Sequence, residues 1–289
     1  MGTTRLSAEG AVGRGLSPEI WQAHGFIGGD LSDPSRVGFH FDDFAKFPTM
    51  ASATDQDGYY TYQDAGVTIK PYTVIDNSKG EFGVVEIAGN DADNDEGHLE
   101  LGDGTAGLVR IDPTVGSRCV VAFEARIRRT SVTDNHTAFA FGIGEPAFAG
   151  ADALVDDTAA MVAAGKDFVG FQTLTASNEE IDAIYTIGGT ATVNQIADNC
   201  GTAVAATWQK LGGVYDPFGP KNDKLKLYID GTEIEYDTKV TDAIISAGTA
   251  FPTDEELTLV LLTKNGDAGT TAHATFIDWW CIGSRLVDA

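Results

Sequence analysis

The chain has 289 residues and a formal net charge of −24 at pH 7, with 43 acidic against 19 basic side chains. A chain this long buries roughly three quarters of its unfolded surface, so one large core needs neither disulfides nor a metal. The charge excludes duplex nucleic acid and anionic membranes as partners, because binding there depends on Lys and Arg neutralising phosphate.

Residues 1–38 stand apart as an N-terminal arm. Gly2, Gly10, Gly13, Gly15, Gly25, Gly28, Gly29 and Gly38, with Pro18 and Pro34, interrupt every periodic pattern. Ser17-Pro18-Glu19 offers a start for a short helix through Ile20, Trp21 and Ala23. Trp21, Phe26 and Ile27 are costly to leave in water, so they pack either on their own domain or on a neighbouring subunit.

A domain spanning 39–289 follows. Phe39–Phe47 alternates aromatic and polar residues as a first strand or turn, and edge-type strands are predicted at 58–62, 66–74 and 83–88. The acidic run from Asn90 to Gly97 reads as a loop. Its Asp91, Asp93, Asp95 and Glu96 fail the calcium-loop spacing, since the sixth position is Glu96 where Gly is required and the twelfth is Gly102 where Glu is required. Strands are predicted at 98–101, 108–111, 118–127 and 137–143, and then one short helix over Ala151–Lys166. Strands resume at 168–173 and 182–187, a small-residue loop covers 194–201, and a Trp-led strand spans 208–215.

The clearest hairpin is KLKLYIDGTEIEYD, residues 224–237. Leu225, Leu227 and Ile229 alternate with Lys224, Lys226 and Tyr228, and Asp230-Gly231 supplies a two-residue turn. The rest of the chain is expected to be organised around this hairpin, with strands at 257–263 and 275–286 to follow. The last carries the densest aromatic cluster, including Trp279 and Trp280. If that strand is regular, one of the two tryptophans faces outward. It then either stacks a sugar ring or is covered by the arm, a loop or a neighbour. An antiparallel series of this kind closes a β-sandwich.

In this order the Trp208 strand, the Leu227-Tyr-Ile-Asp-Gly231 hairpin and the terminal FIDWWCIG strand resemble the concanavalin A-like (laminin-G/glucanase) jelly roll, in particular those carried by tailed bacteriophages. Phe41-Asp-Asp-Phe44, Asp93-Asn-Asp-Glu96, Asp167-Phe-Val-Gly-Phe171 and Gly213-Val-Tyr215 extend the resemblance over residues 39–286. It implies an all-β, two-sheet antiparallel sandwich with one short helix and an extended arm. It also implies a virion structural protein: a head decoration (cement) protein that binds the major capsid protein on the outer capsid surface, as a homotrimer made in the host cytoplasm. Trp21, Phe26 and Ile27 are then the expected subunit or capsid contacts. An alternative is a carbohydrate-binding module on a virion appendage such as a tail fibre, with Trp279 and Trp280 stacking glycan.

Enzyme chemistry finds less support. Jelly-roll glucanases carry paired glutamates in an E-I-D-x-x-E strand, and this chain has Glu180-Ile181-Asp182-Ala183-Ile184-Tyr185, with tyrosine where the second glutamate belongs. A phenol titrating near 10 is a poor acid for a leaving sugar oxygen. His24, His40, His98, His136 and His273 are scattered without metal-ligand spacing, and Cys119, Cys200 and Cys281 form neither a disulfide framework nor a zinc site. No residue is assigned to catalysis, a cofactor or a metal.

Overall fold

The computed structural model describes residues 15–27, 37–50, 55–72, 83–89, 92–114, 119–134, 136–148, 153–154, 165–174, 176–188, 193–253, 255–266 and 273–287. Among these, the strands form two antiparallel sheets. Sheet A runs β14 (Thr232–Glu233), β13 (Leu225–Ile229), β12 (Gln209–Tyr215), β7 (Cys119–Arg129), β16 (Ala274–Leu286), β5 (Val85–Ala88), β4 (Thr68–Pro71). The strand β1 (Val37–Asp42) shares the far edge of β16 with β5, pairing further along it. Sheet B runs β11 (Val193–Thr202), β10 (Ser177–Thr186), β9 (Phe168–Leu174), β8 (Thr137–Gly144), β15 (Thr258–Asn265), β6 (Glu96–Leu101), β3 (Tyr59–Gln63), β2 (Asp55–Gln56).

The core lies between the sheets. Alternation puts Val121, Phe123, Ala125 and Ile127 of β7 inside, facing Phe139, Phe141 and Ile143 of β8 and Leu259 and Leu261 of β15. A register shift between Ile277 and Trp279 interrupts β16. It places both Ile277 and Trp280 in the core, with Trp279 on the opposite face. At one end Arg129 joins the sheets, donating from β7 to Thr137 O at 3.2 Å and Asn178 O at 2.6 Å. Burial lowers its guanidinium to about 9.

The 224–237 hairpin forms as expected, with Asp230 and Gly231 at φ 53° and 77°. It lies at the edge of sheet A, however, and the centre belongs to β7 and β16. Its return strand shortens to Thr232–Glu233 because Ile234 turns into the core. Residues 194–201, expected as a loop, are the ladder-paired strand β11. Residues 108–111, expected as a strand, contribute one isolated bridge, Val109 to Leu257. A helix at α2 (Asp242–Ser246), capped by Thr241, went unforeseen. The helix expected over Ala151–Lys166 falls largely outside the described residues.

Of the arm, residues 15–27 fold back onto the outer face of sheet A. The helix α1 (Pro18–Trp21) begins with Pro at its first turn, as the sequence predicts.

Candidate functional site

Charged side chains are buried on the outer faces of both sheets, each beneath a segment of the same chain. On sheet B, alternation along β6 sends Leu99 and Leu101 into the core and Glu96, His98 and Glu100 to the outside. Lys264 of β15 lies directly across the ladder from Glu96, with Nζ 3.0 Å from Glu96 Oε1. Glu96, His98, Glu100 and Lys264 are all buried.

The cover is the excursion between β8 and β9. Ala153 N and Leu154 N each donate to the Glu96 carboxylate at 3.2 Å, and Ala147 N donates to Glu100 Oε1 at 3.0 Å. Lys264 Nζ donates to Leu154 O at 2.9 Å. His98 Nε2 lies 3.2 Å from Glu96 Oε2, and the Tyr62 ring sits beside the imidazole at 5.4 Å. Burial pushes the Glu96 carboxyl up, but hydrogen bonds and charge from His98 and Lys264 outweigh it and hold the group below its ordinary value. The sequence offers one clue, the alternation of Glu96, His98 and Glu100, although the strand predicted from it begins only at His98. Glu96 itself was placed in the preceding acidic loop as a solvated residue, and the structure corrects that.

On sheet A the arm covers Glu124 of β7, and Lys210, Arg126 and Asp278 are buried in the same sheet, the last two paired at 2.6 Å. Ser17 N and Trp21 Nε1 both donate to Glu124 Oε2, at 3.0 and 2.7 Å. Burial pushes this carboxyl above its ordinary value, and the Ser17 and Trp21 hydrogen bonds and the charge of Lys210 only partly offset it. Trp21 and Phe26 are buried here with Ile20, Val214, Trp279 and Cys281, and Ile27 is half-buried beside them. Trp21, Phe26 and Ile27, assigned from sequence to subunit or capsid contacts, therefore pack on their own domain, which was the other option left open for the arm.

The tandem tryptophans are likewise covered. Trp280 is 0% exposed in the core, and Trp279 is 1% exposed beneath the arm, with Phe41 at 6.0 Å. Neither presents a ring face to a sugar, so their role as stacking residues is corrected. The bulge splits the pair between the two faces, and the arm covers the outward member.

The glucanase-like stretch does not assemble a carboxylate pair with an acid partner. Glu180 and Asp182 of β10 face away from the core, where Asp182 accepts Asn199 N at 2.9 Å and burial raises its carboxyl. Tyr185 turns the other way into the core, 5.1 Å from Phe251. Two scattered histidines do meet, His136 and His273 stacking at 3.9 Å. Among the described residues, no group of three or more His, Cys, Asp or Glu is placed to hold a metal ion, and no helix is long and apolar enough to cross a membrane.

Accessible apolar surface gathers along β1. Phe39 and Phe41 are each 44% exposed, and Leu108 is 48% exposed. His40 lines two adjoining pockets there, of about 420 and 140 Å³. The larger also contacts Asp42, Lys46, Pro48 and Tyr59, and the smaller contacts Leu108 and Gly283.

No protein-family model and no curated protein sequence matches this chain. Solved structures do match in shape. The Emp47p carbohydrate recognition domain reaches a TM-score of 0.54 over 88% of this chain and 99% of its own, at 13% identity. An endo-1,3-beta-glucanase from Streptomyces sioyaensis reaches 0.53 over 88% and 99%, at 15% identity. A protein of unknown function from Shewanella oneidensis MR-1 reaches 0.52 over 88% and 90%, at 12% identity. Identities this low carry the fold and nothing finer. Lectin domains and glucanases both adopt that fold, and this chain has it: a concanavalin A-like jelly-roll sandwich.

Proposed function

We propose that this protein is a non-catalytic adhesion module, a head decoration protein of a tailed phage that binds the major capsid protein on the outer shell and bridges capsomers as a homotrimer. The observation that carries the non-catalytic part is the occupancy of the buried carboxylates. Glu96 and Glu100 hold backbone N–H groups of their own cover, Glu124 holds Ser17 and Trp21, and Tyr185 is packed in the core. Glycoside hydrolysis needs two accessible carboxyl groups flanking one bond.

Support for adhesion comes from the exposed Phe39, Phe41 and Leu108 beside β1, since aromatic side chains anchor protein interfaces. Capsid binding itself rests on the sequence resemblance to phage jelly rolls. Many weak copies on a lattice hold together through multivalency. Because the arm's apolar side chains are packed inward, β1 replaces Trp21, Phe26 and Ile27 as the contact surface proposed.

Purified protein mixed with heads lacking it should co-sediment with them. The double variant Phe39→Asp, Phe41→Asp should abolish co-sedimentation, with circular dichroism checking that the sandwich remains folded, since both rings also touch buried tryptophans, Phe39 on Trp21 and Phe41 on Trp279. Absence of the protein from purified virions would overturn the assignment. The second possibility, glycan binding on a virion appendage, draws on the fold shared with a carbohydrate recognition domain. Selective signal on a glycan array would favour it, and the surface used would not be Trp279 or Trp280.

A further inference from the structure

Four of the described edge strands are blunted against further pairing. Strands β14 and β2 are two residues long, β11 carries register shifts against β10, and β4 contains Lys70 and Pro71. Short length, bulges, Lys and Pro are the devices that keep a sheet edge from accepting another strand. Strand β1 has none of them. It runs six residues in unbroken register with β16 and contains neither Lys nor Pro. Among the described residues no strand pairs with its other edge, and every residue from Gly38 to Phe41 is exposed.

Side chains alternate across β1. Phe39 and Phe41 lie on the outer face of the sheet, against Trp21 at 5.3 Å and Trp279 at 6.0 Å. Gly38, His40 and Asp42 therefore face the other way. On that side are two pockets, one to either side of His40. The smaller, of about 140 Å³, touches Gly38 and His40 together with Leu108, Val109 and Ile282. The larger, of about 420 Å³, touches His40 and Asp42 together with Phe47, Tyr59 and Asp57. The two are thus offset by two residues of β1, roughly 7 Å, which is the repeat at which a neighbouring strand sends successive side chains to one face.

Their linings differ in charge. The smaller pocket is walled by apolar side chains, whereas Asp42 and Asp57 outnumber Lys46 in the larger. An apolar side chain suits the first and a cation the second. A second copy of this chain is a poor occupant: it brings a net charge of −24, and its own β1 offers no Lys or Arg.

We propose that β1 receives an extended segment of a different protein as an added strand, with an apolar residue in the smaller pocket and Arg or Lys two positions away in the larger. This rests on the reading of β1 as the adhesive surface and gives that surface a mode of recognition. Ladder bonds supply the affinity, and the two pockets select the sequence.

The test uses the full chain and a capped heptapeptide, Thr-Val-Thr-Arg-Thr-Val-Thr, which reads the same in either strand direction. Millimolar peptide should slow hydrogen exchange at alternate amides of β1 and leave β11 unchanged. A strand bonds through every second residue. N-methylation of one alternate set, the Thr residues or the Val and Arg residues, should therefore weaken binding on the order of 10-fold, while the other set has no effect. Glu in place of the peptide Arg should weaken it about 10-fold. Asp57→Asn, which suits the φ of 54° there, should weaken the Arg peptide about 3-fold. The proposal fails if the peptide leaves β1 exchange unchanged, if both methylated peptides bind like the parent, or if the Glu peptide binds as well. It fails too if β1 becomes protected on raising the protein concentration alone, the sign of a second copy. Co-sedimentation with heads keeps the two readings apart. Binding to heads that saturating peptide does not reduce would sink strand addition and leave adhesion standing. Peptide pairing by a protein that ignores heads would sink the capsid assignment alone.

Discussion

Sheets A and B are each roofed from outside by their own chain, and each roof hangs on a buried glutamate, yet the two glutamates are balanced in opposite ways. Glu96 has Lys264 at 3.0 Å and His98 at 3.2 Å and is held below its ordinary titration range. Glu124 has neutral donors from Ser17 and Trp21, with Lys210 as its nearby charge, and is held above it. A buried ion pair binds its cover through charge, and losing one partner strands the other. A buried carboxyl with neutral donors binds through hydrogen bonds that a neutral amide can largely replace.

The largest expected effect separates the two directly. Glu96→Leu leaves Lys264 buried without its counter-charge and should cost about 3–5 kcal/mol in urea unfolding, whereas Glu124→Gln should cost about 1 kcal/mol or less at neutral pH. Equal losses would erase the distinction.

The pH dependence should differ in sign. The Glu96 contribution is present above the unfolded glutamate value of about 4.3 and is lost as pH falls through its lowered folded value. The Glu124 contribution is present below that unfolded value and is lost as pH rises through its raised folded value. The titratable groups acting on Glu96 are Lys264 and His98, and those beside Glu124 are Lys210 and Cys281. Acid should therefore narrow the stability gap between wild type and Glu96→Gln, and alkali should favour Glu124→Gln over wild type. Unfolding midpoints followed across pH would break the comparison if both gaps moved together.

A smaller effect is confined to the arm. A Cβ at Gly283 would meet the Phe26 ring at 3.0 Å and Gly38 O at 3.0 Å. Gly283→Ala should cost about 1–3 kcal/mol and raise exchange at Trp21 and Phe26 without touching Ala153 and Leu154.

Much of the fold was legible because β7, β12 and β13 carry apolar alternation, and β8, β15 and β16 near-continuous apolar runs, that read as strands. Strand β11 was not, since its run VNQIADNCGT buries little beyond Ile196 and Ala197 and sits at a sheet edge. The candidate site was half visible. The alternation of Glu96, His98 and Glu100 shows that they share a face, but charged residues on an outer face ordinarily mean solvent. Only a cover 57 positions away in the chain takes them out of water. The arm offers the same lesson: Trp21 and Phe26 had to be packed somewhere, and nothing local says that the place is Glu124 and Trp279.

The bulge at Asp278 makes β16 a question of odd and even. Were that ladder unbroken, Trp279 and Ile282 would trade sides and the indole of Trp280 would leave the middle of the molecule. Asp278 is thus the extra position of the ladder, although its carboxylate pairs with the buried Arg126 at 2.6 Å. Its removal should preserve every facing downstream, whereas an extra residue anywhere from Trp280 to Ile282, left unabsorbed, would turn the rest of the strand inside out.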